Sequence, residues 1–187
     1  MAGINRFNIS ERTNDRSTFL NKGIKCVFIS HQKSDAVEAK KIADYLLSVD
    51  VDVYFDEYDK ELRLHHQSNN PAKVTQSILK GINNSSHMLV IVSNNTIKSQ
   101  WVPFEIGYGY NKTDLSVICL KGIPQGGLPE YIRTANIVRD RYDLNLLIPR
   151  LTKSNTSLLT EQRKFFSYED TNHPLRFVMD DLISDQY

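Results

Sequence analysis

A tryptophan, an acid and a glycine recur at i, i+4 and i+8 in the stretch Ser99-Gln100-Trp101-Val102-Pro103-Phe104-Glu105-Ile106-Gly107-Tyr108-Gly109-Tyr110. On a helix that spacing puts an aromatic plane, a carboxylate and a bare backbone patch along one face. Glu105 is the candidate working residue, a charge offered to a bound molecule, with Trp101 as either a ligand platform or a packing anchor. Pro103 suits a helix's first turn, where a missing N–H costs nothing, and Ser99 is placed to cap it. Glu105 then lies near the helix N-terminus, where the macrodipole favours acids whether or not they have a function. Gly107 and Gly109 read as close packing of that helix against a sheet.

The other polar residues narrow the chemistry by what they fail to form. Nothing matches a P-loop, the loop after the first strand lacks the glycines of a dinucleotide-binding turn, and there is no Gly-x-Ser-x-Gly elbow. An ordinary Rossmann oxidoreductase, an NTPase and a standard α/β-hydrolase are therefore disfavoured. His65 and His66 are adjacent and do not face one ligand on a helix, and no third ligand stands at diagnostic spacing, so no metal is expected. His87, at a strand start, reads as structural; His31 differs in sitting at a strand's carboxyl end. The two cysteines, Cys26 and Cys119, each lie in an apolar run without a CxxC or Cys/His cluster, the pattern of reduced core residues in a cytosolic protein. A net charge of +1 with 24% charged residues leaves no footprint for nucleic acid or an anionic membrane. No apolar run nears the ~18 residues that span a bilayer, and the N-terminus lacks signal-peptide character, so a soluble, cytoplasmic protein is expected.

Holding such a helix in place takes a sheet. Lys25-Cys26-Val27-Phe28-Ile29 reads as a fully buried strand, and from Asp35 the residues Val37, Ala39, Ile42, Ala43, Leu46 and Leu47 recur with helical period. Val51-Asp52-Val53-Tyr54-Phe55 is a second strand with the alternation of an edge position. Asp56 to Asn70 is a long polar passage, a length usually functional or mobile. Pro71 then opens a helix through Val74, Ile78, Leu79 and Ile82. His87 to Val92, the most apolar run, fits the sheet's centre and leads into the Ser99–Tyr110 stretch. Ser116 to Leu120 is a fourth strand and Asn136-Ile137-Val138 a short fifth, followed by a helix through Leu144, Leu147 and Ile148. This alternation predicts a doubly wound α/β fold with a largely parallel sheet. Met1 to Lys22 shows no sustained period and reads as an arm outside the core. Leu151 to Tyr187 reads as a less regular tail with a helix at Leu175 to Ile183. Ligands of an open parallel sheet bind beyond the strands' carboxyl ends, which picks out residues 30–35, 56–70, 93–105 and 121–129.

Four segments, in order, resemble the TIR domain family and specifically its bacterial and plant members that act on NAD+. They are Val27-Phe28-Ile29-Ser30-His31-Gln32-Lys33-Ser34-Asp35, Asp52-Val53-Tyr54-Phe55-Asp56, Met88-Leu89-Val90-Ile91-Val92-Ser93 and Ser99-Gln100-Trp101-Val102-Pro103-Phe104-Glu105-Ile106. The Ser-x-Trp-x-x-x-Glu pattern of the last is the most specific. The resemblance covers residues 25–150 and implies a TIR domain there, between an N-terminal extension, 1–24, and a C-terminal extension, 151–187, that packs on or extends it. It implies a flavodoxin-like, three-layer α/β fold with a five-stranded parallel sheet. In the family's enzymes the glutamate at the position of Glu105 is required to break the nicotinamide–ribose bond. By the same resemblance Ser30, His31 and Lys33 line the nicotinamide–ribose side, while Trp101 and the Phe55-Asp56 corner shape the pocket. NAD+ is then a substrate and no cofactor is expected; hydrolysis, cyclisation and base exchange share one site. The chain also resembles the sensor enzymes of Thoeris-type anti-phage systems, whose ADP-ribose-derived signal activates a separate effector. Other TIR subunits are implied partners, since such sites are often completed by a neighbour. Two further readings stay open: a non-catalytic interaction module using residues 56–70, and an enzyme like the nucleoside deoxyribosyltransferases. Scaffold TIR domains commonly lack the acid that this chain has.

Overall fold

Successive residues of a buried strand face opposite sides, and here each side meets its own pair of helices. The computed structural model describes residues 2–7, 23–55, 71–124 and 126–183. Its strands are β1 (Cys26–Ser30), β2 (Asp52–Tyr54), β3 (His87–Val92), β4 (Asp114–Cys119) and β5 (Asn136–Val138). All pair in parallel, in the order β2-β1-β3-β4-β5. The helices are α1 (Ala36–Ser48), α2 (Pro71–Asn83), α3 (Trp101–Gly109), α4 (Arg141–Leu151) and the short α5 (Thr156–Glu161). Val27 and Ile29 of β1 and Leu89 and Ile91 of β3 pack on α1 and α4; Cys26, Phe28, Met88 and Val90 pack on α2 and α3. The result is a flavodoxin-like, three-layer α/β fold with a five-stranded parallel sheet. Its central strand is β3, as the apolarity of that run predicts.

Several boundaries differ from the sequence reading by a residue or two. Ser30 belongs to β1, whereas Phe55 and Leu120 fall just past β2 and β4. The tail departs further, because no helix forms at Leu175 to Ile183. The carbonyls of Val178, Asp180 and Asp181 instead accept from the N–H groups of Lys121, Arg141 and Tyr142. Leu175, Val178 and Met179 are buried against the α1–α4 layer. Their apolar period thus reflects a tail sewn onto the fold. Cys26 and Cys119 are buried and unpaired, and burial pushes both thiols up to about 11.

The edge position of β2 holds within the sheet, but residues 3–7 of the expected arm lie along its outer side. Asn5 bridges Val53 in parallel, the Val53 N–H donates to the Ile4 carbonyl at 3.1 Å, and the Arg6 N–H donates to the Val53 carbonyl at 2.7 Å.

On the opposite face of β2, α2 comes close enough that Gly81 leaves no room for a side chain. A Cβ there would lie 2.6 Å from Phe28 Cε2 and 2.8 Å from Tyr54 Cε1. Both rings are buried. Gly81→Ala gains roughly 1 kcal/mol of helix propensity but incurs about 1–3 kcal/mol of overpacking, so a net loss is expected in urea denaturation. A variant as stable as the parent would show that the two rings give way freely.

Candidate active site

The chain leaves β1 toward β2 on one side and leaves β3 toward β4 and β5 on the other, so the crevice beyond β1 and β3 is the topological switch point of the sheet. Two of the predicted residues meet there. Ser30 closes β1, in register with Val90 of β3. Glu105 comes from α3, the helix that follows β3. The Ser30 hydroxyl donates to Glu105 Oε2 at 2.5 Å, and both residues are buried, at 1% and 7% exposure.

Short-range polar bonds set the angle at which α3 enters. After β3 the Ser93 N–H donates to Thr96 Oγ1 at 2.8 Å, which turns the chain through a short 3-10 segment, Thr96–Lys98. The Ser99 hydroxyl then accepts the Val102 N–H at 3.1 Å, the capping role its position predicts. The Trp101–Glu105–Gly109 face is turned toward the sheet. A Cβ on Gly109 would lie 2.6 Å from Met88 Sδ, whereas Gly107 has nothing within 4 Å. The packing reading therefore holds for Gly109 and fails for Gly107.

Around this pair the other predicted residues divide. The rings of His31 and Phe55 stand 5.3 Å apart where β1 and β2 end, with Phe55 buried in the α1–α4 core. Lys33 is exposed in a 3-10 turn, Lys33–Asp35, whose first N–H is capped by the Gln32 side chain at 3.1 Å. Trp101 lies one turn before Glu105, edge-on to Phe104 at 6.0 Å and partly buried against the α2–α3 core. Asp56, the loop expected as an interaction surface and His65-His66 lie outside the described residues. His87, read as structural, bonds Ser86 Oγ through Nδ1 at 2.9 Å.

One contributor went unassigned in the sequence reading. Asp35 is buried and accepts from Ser93 Oγ at 2.6 Å and Asn95 Nδ2 at 3.1 Å. It braces the loop after β1 against the loop after β3, so the two sides of the crevice keep their spacing. The available signal was its place as the last residue of the first motif.

Burial, and not the helix macrodipole, dominates the charge on Glu105. Burial pushes its carboxyl from 4.5 up to about 7, against the lowering effect of the Ser30 hydrogen bond. Glu105 is the fifth residue of α3, beyond the first turn where the macrodipole acts, so desolvation dominates. The site therefore holds a carboxyl group poised between its neutral and ionised forms near neutral pH. Such a group can stabilise a cationic centre or exchange a proton with a ligand.

A family model described as TIR domain matches residues 27–146, which takes in both sides of this crevice. No curated protein matches the chain.

Proposed function

The chain belongs to the TIR domain family, and on that premise we propose that it is a TIR-type NAD+ nucleosidase with Glu105 as its catalytic residue. The observation that carries this reading is the buried, raised carboxyl of Glu105 at the switch point of the sheet. A carboxyl in that setting costs stability at neutral pH, so a purely structural role gives no reason to keep it. An interaction module has no use for it; a reaction that develops positive charge does.

Cleavage of NAD+ breaks the bond between the ribose C1′ and the nicotinamide ring nitrogen. The bonding pair leaves with the nicotinamide and neutralises its ring, and the ribose acquires oxocarbenium character. Ionised Glu105 stabilises that charge. Water then adds at C1′ and loses a proton, giving ADP-ribose; an adenine nitrogen of the same molecule adds instead to give a cyclic product. Ser30 holds the carboxylate oxygen, and the paired rings of His31 and Phe55, with Lys33 at the rim, accommodate the nicotinamide–ribose end. In this reading the product is a signal for a separate effector in bacterial anti-phage defence, and activity arises in assemblies of several copies. The motif resemblance supports those last two points.

The test is mass spectrometry of products after incubation with NAD+ and, separately, with deoxynucleosides. Nicotinamide together with ADP-ribose or a derivative supports the proposal; turnover of deoxynucleosides alone assigns the fold to another chemistry. The pH dependence follows from the ionised form being the active one. kcat/KM for NAD+ should rise with pH and level off above about 7. Ser30→Ala removes the hydrogen bond that favours ionisation, so its limb should move to higher pH. A limb unchanged in Ser30→Ala would separate that hydroxyl from the charge of Glu105.

A further inference from the structure

The N-terminal segment, uninformative as sequence, reaches the residue just beyond β2 through one side chain. Residues 3–7 are anchored along β2 at several points. Gly3 donates its N–H to the Leu47 carbonyl at 2.7 Å, and a Cβ on Gly3 would lie 2.0 Å from the Val51 carbonyl oxygen, so only glycine permits this approach. The Ile4 N–H donates to Asp52 Oδ1 at 3.0 Å, and the buried Arg6 donates to Asp52 Oδ2 from Nε at 3.1 Å and Nη2 at 2.9 Å. Phe7 meets Tyr54 edge to face at 5.7 Å.

Asn5 sits between these anchors, and its carboxamide turns to the residue just beyond β2. Asn5 Nδ2 donates to the Phe55 carbonyl at 2.8 Å, and Asn5 Oδ1 accepts the Phe55 N–H at 3.2 Å. The same oxygen accepts the Phe7 N–H at 3.2 Å. The side chain thus pairs with both backbone polar groups of Phe55 where the strand ladder has ended. Phe55 is the residue whose ring faces His31. A backbone held on both polar groups fixes the Cα–Cβ direction, and with it the place of the ring.

We infer that Asn5 is a positioning residue, which fixes Phe55 and through it the His31–Phe55 ring contact; its effect on turnover rests on the function proposed above, whereas its effect on Phe55 does not. Asn5 acts on the backbone of Phe55, while Ser30 and Glu105 pair with each other, so its loss should weaken substrate placement more than the bond-breaking step.

The experiment compares Asn5→Ala with Lys153→Ala, a variant that weakens the same region elsewhere. Lys153 pairs with Asp52 at 2.7 Å and Asp50 at 3.5 Å. Amide exchange is followed by NMR, together with the His31 ring resonances, KM and kcat for NAD+, and the melting temperature. In Asn5→Ala the Phe55 amide should exchange about fivefold faster or more, the size expected for one lost hydrogen bond, with shifted His31 resonances. KM should rise by a similar factor with kcat little changed. Lys153→Ala should lower the melting temperature and leave Phe55 exchange and KM as in the parent. Asn5→Asp keeps the acceptor and loses only the donor, so it should give the same pattern at smaller size, and it serves if the alanine variant does not fold. A folded Asn5 variant with parental Phe55 exchange or parental KM overturns the inference. If the parent protein does not cleave NAD+, the proposed function fails, and Phe55 exchange with the His31 resonances alone decides the role of Asn5.

Discussion

Glu105→Gln should make the protein more stable than its parent at pH 8–9 and equally stable near pH 4–5. The folded protein holds the Glu105 proton up to about 7, while the unfolded chain releases it near 4.5. The native state therefore binds that proton more tightly, and stability falls as pH rises between the two values. Above about 7 the penalty is complete, and the interval corresponds to on the order of 3 kcal/mol. The glutamine keeps the size of the side chain and an oxygen to accept from Ser30, but it never carries the charge. Urea denaturation at both pH values checks this. A gain of the same size at acid and alkaline pH would mean that packing, and not charge, separates the two proteins.

The same substitution should remove NAD+ cleavage. An amide stabilises an oxocarbenium centre far less well than a carboxylate does, and losing one preorganised electrostatic partner typically costs about 10²–10³ in rate. Glu105→Ala should lose at least as much, and it also opens a cavity beside Ser30. The informative variant is therefore Glu105→Gln, since a folded protein that is more stable and yet inactive rules out unfolding as the cause. Stability and activity moving in opposite directions is the signature of a carboxyl kept for function.

The fold was legible because its signals are local. Buried parallel strands are short apolar runs, and the His87–Val92 run, the strongest, is the central strand. The helices between them carry a 3.6-residue period or, in α3, a proline and a capping serine. Tail and arm were not legible for a shared physical reason, since their backbone partners are distant in sequence. Arg141 bonds Asp180, and Val53 bonds Ile4. No period announces such pairings, so Leu175–Ile183 read as a helix and Asn5 as part of an arm outside the core. At the site, the residue types and spacing picked out Glu105, and the motif resemblance added Ser30. The carboxyl's charge state could not be read, because burial is set by the whole β1–β3 crevice. Spacing alone placed Glu105 near a helix N-terminus, a setting that favours the ionised acid. Asp35 and Asn5 act on backbone or side-chain partners supplied by other segments, which spacing along one segment does not reveal.

The most direct measurement is a time course of nicotinamide release from NAD+, by mass spectrometry, for the parent protein and for Glu105→Gln at the same high protein concentration and pH 8. Both proteins are first shown to be folded by their denaturation curves. The predicted result is nicotinamide from the parent, with ADP-ribose or a derivative in equal amount, and a rate at least about 10²-fold lower from the variant. Nicotinamide released at equal rates by the two proteins would contradict the role of Glu105.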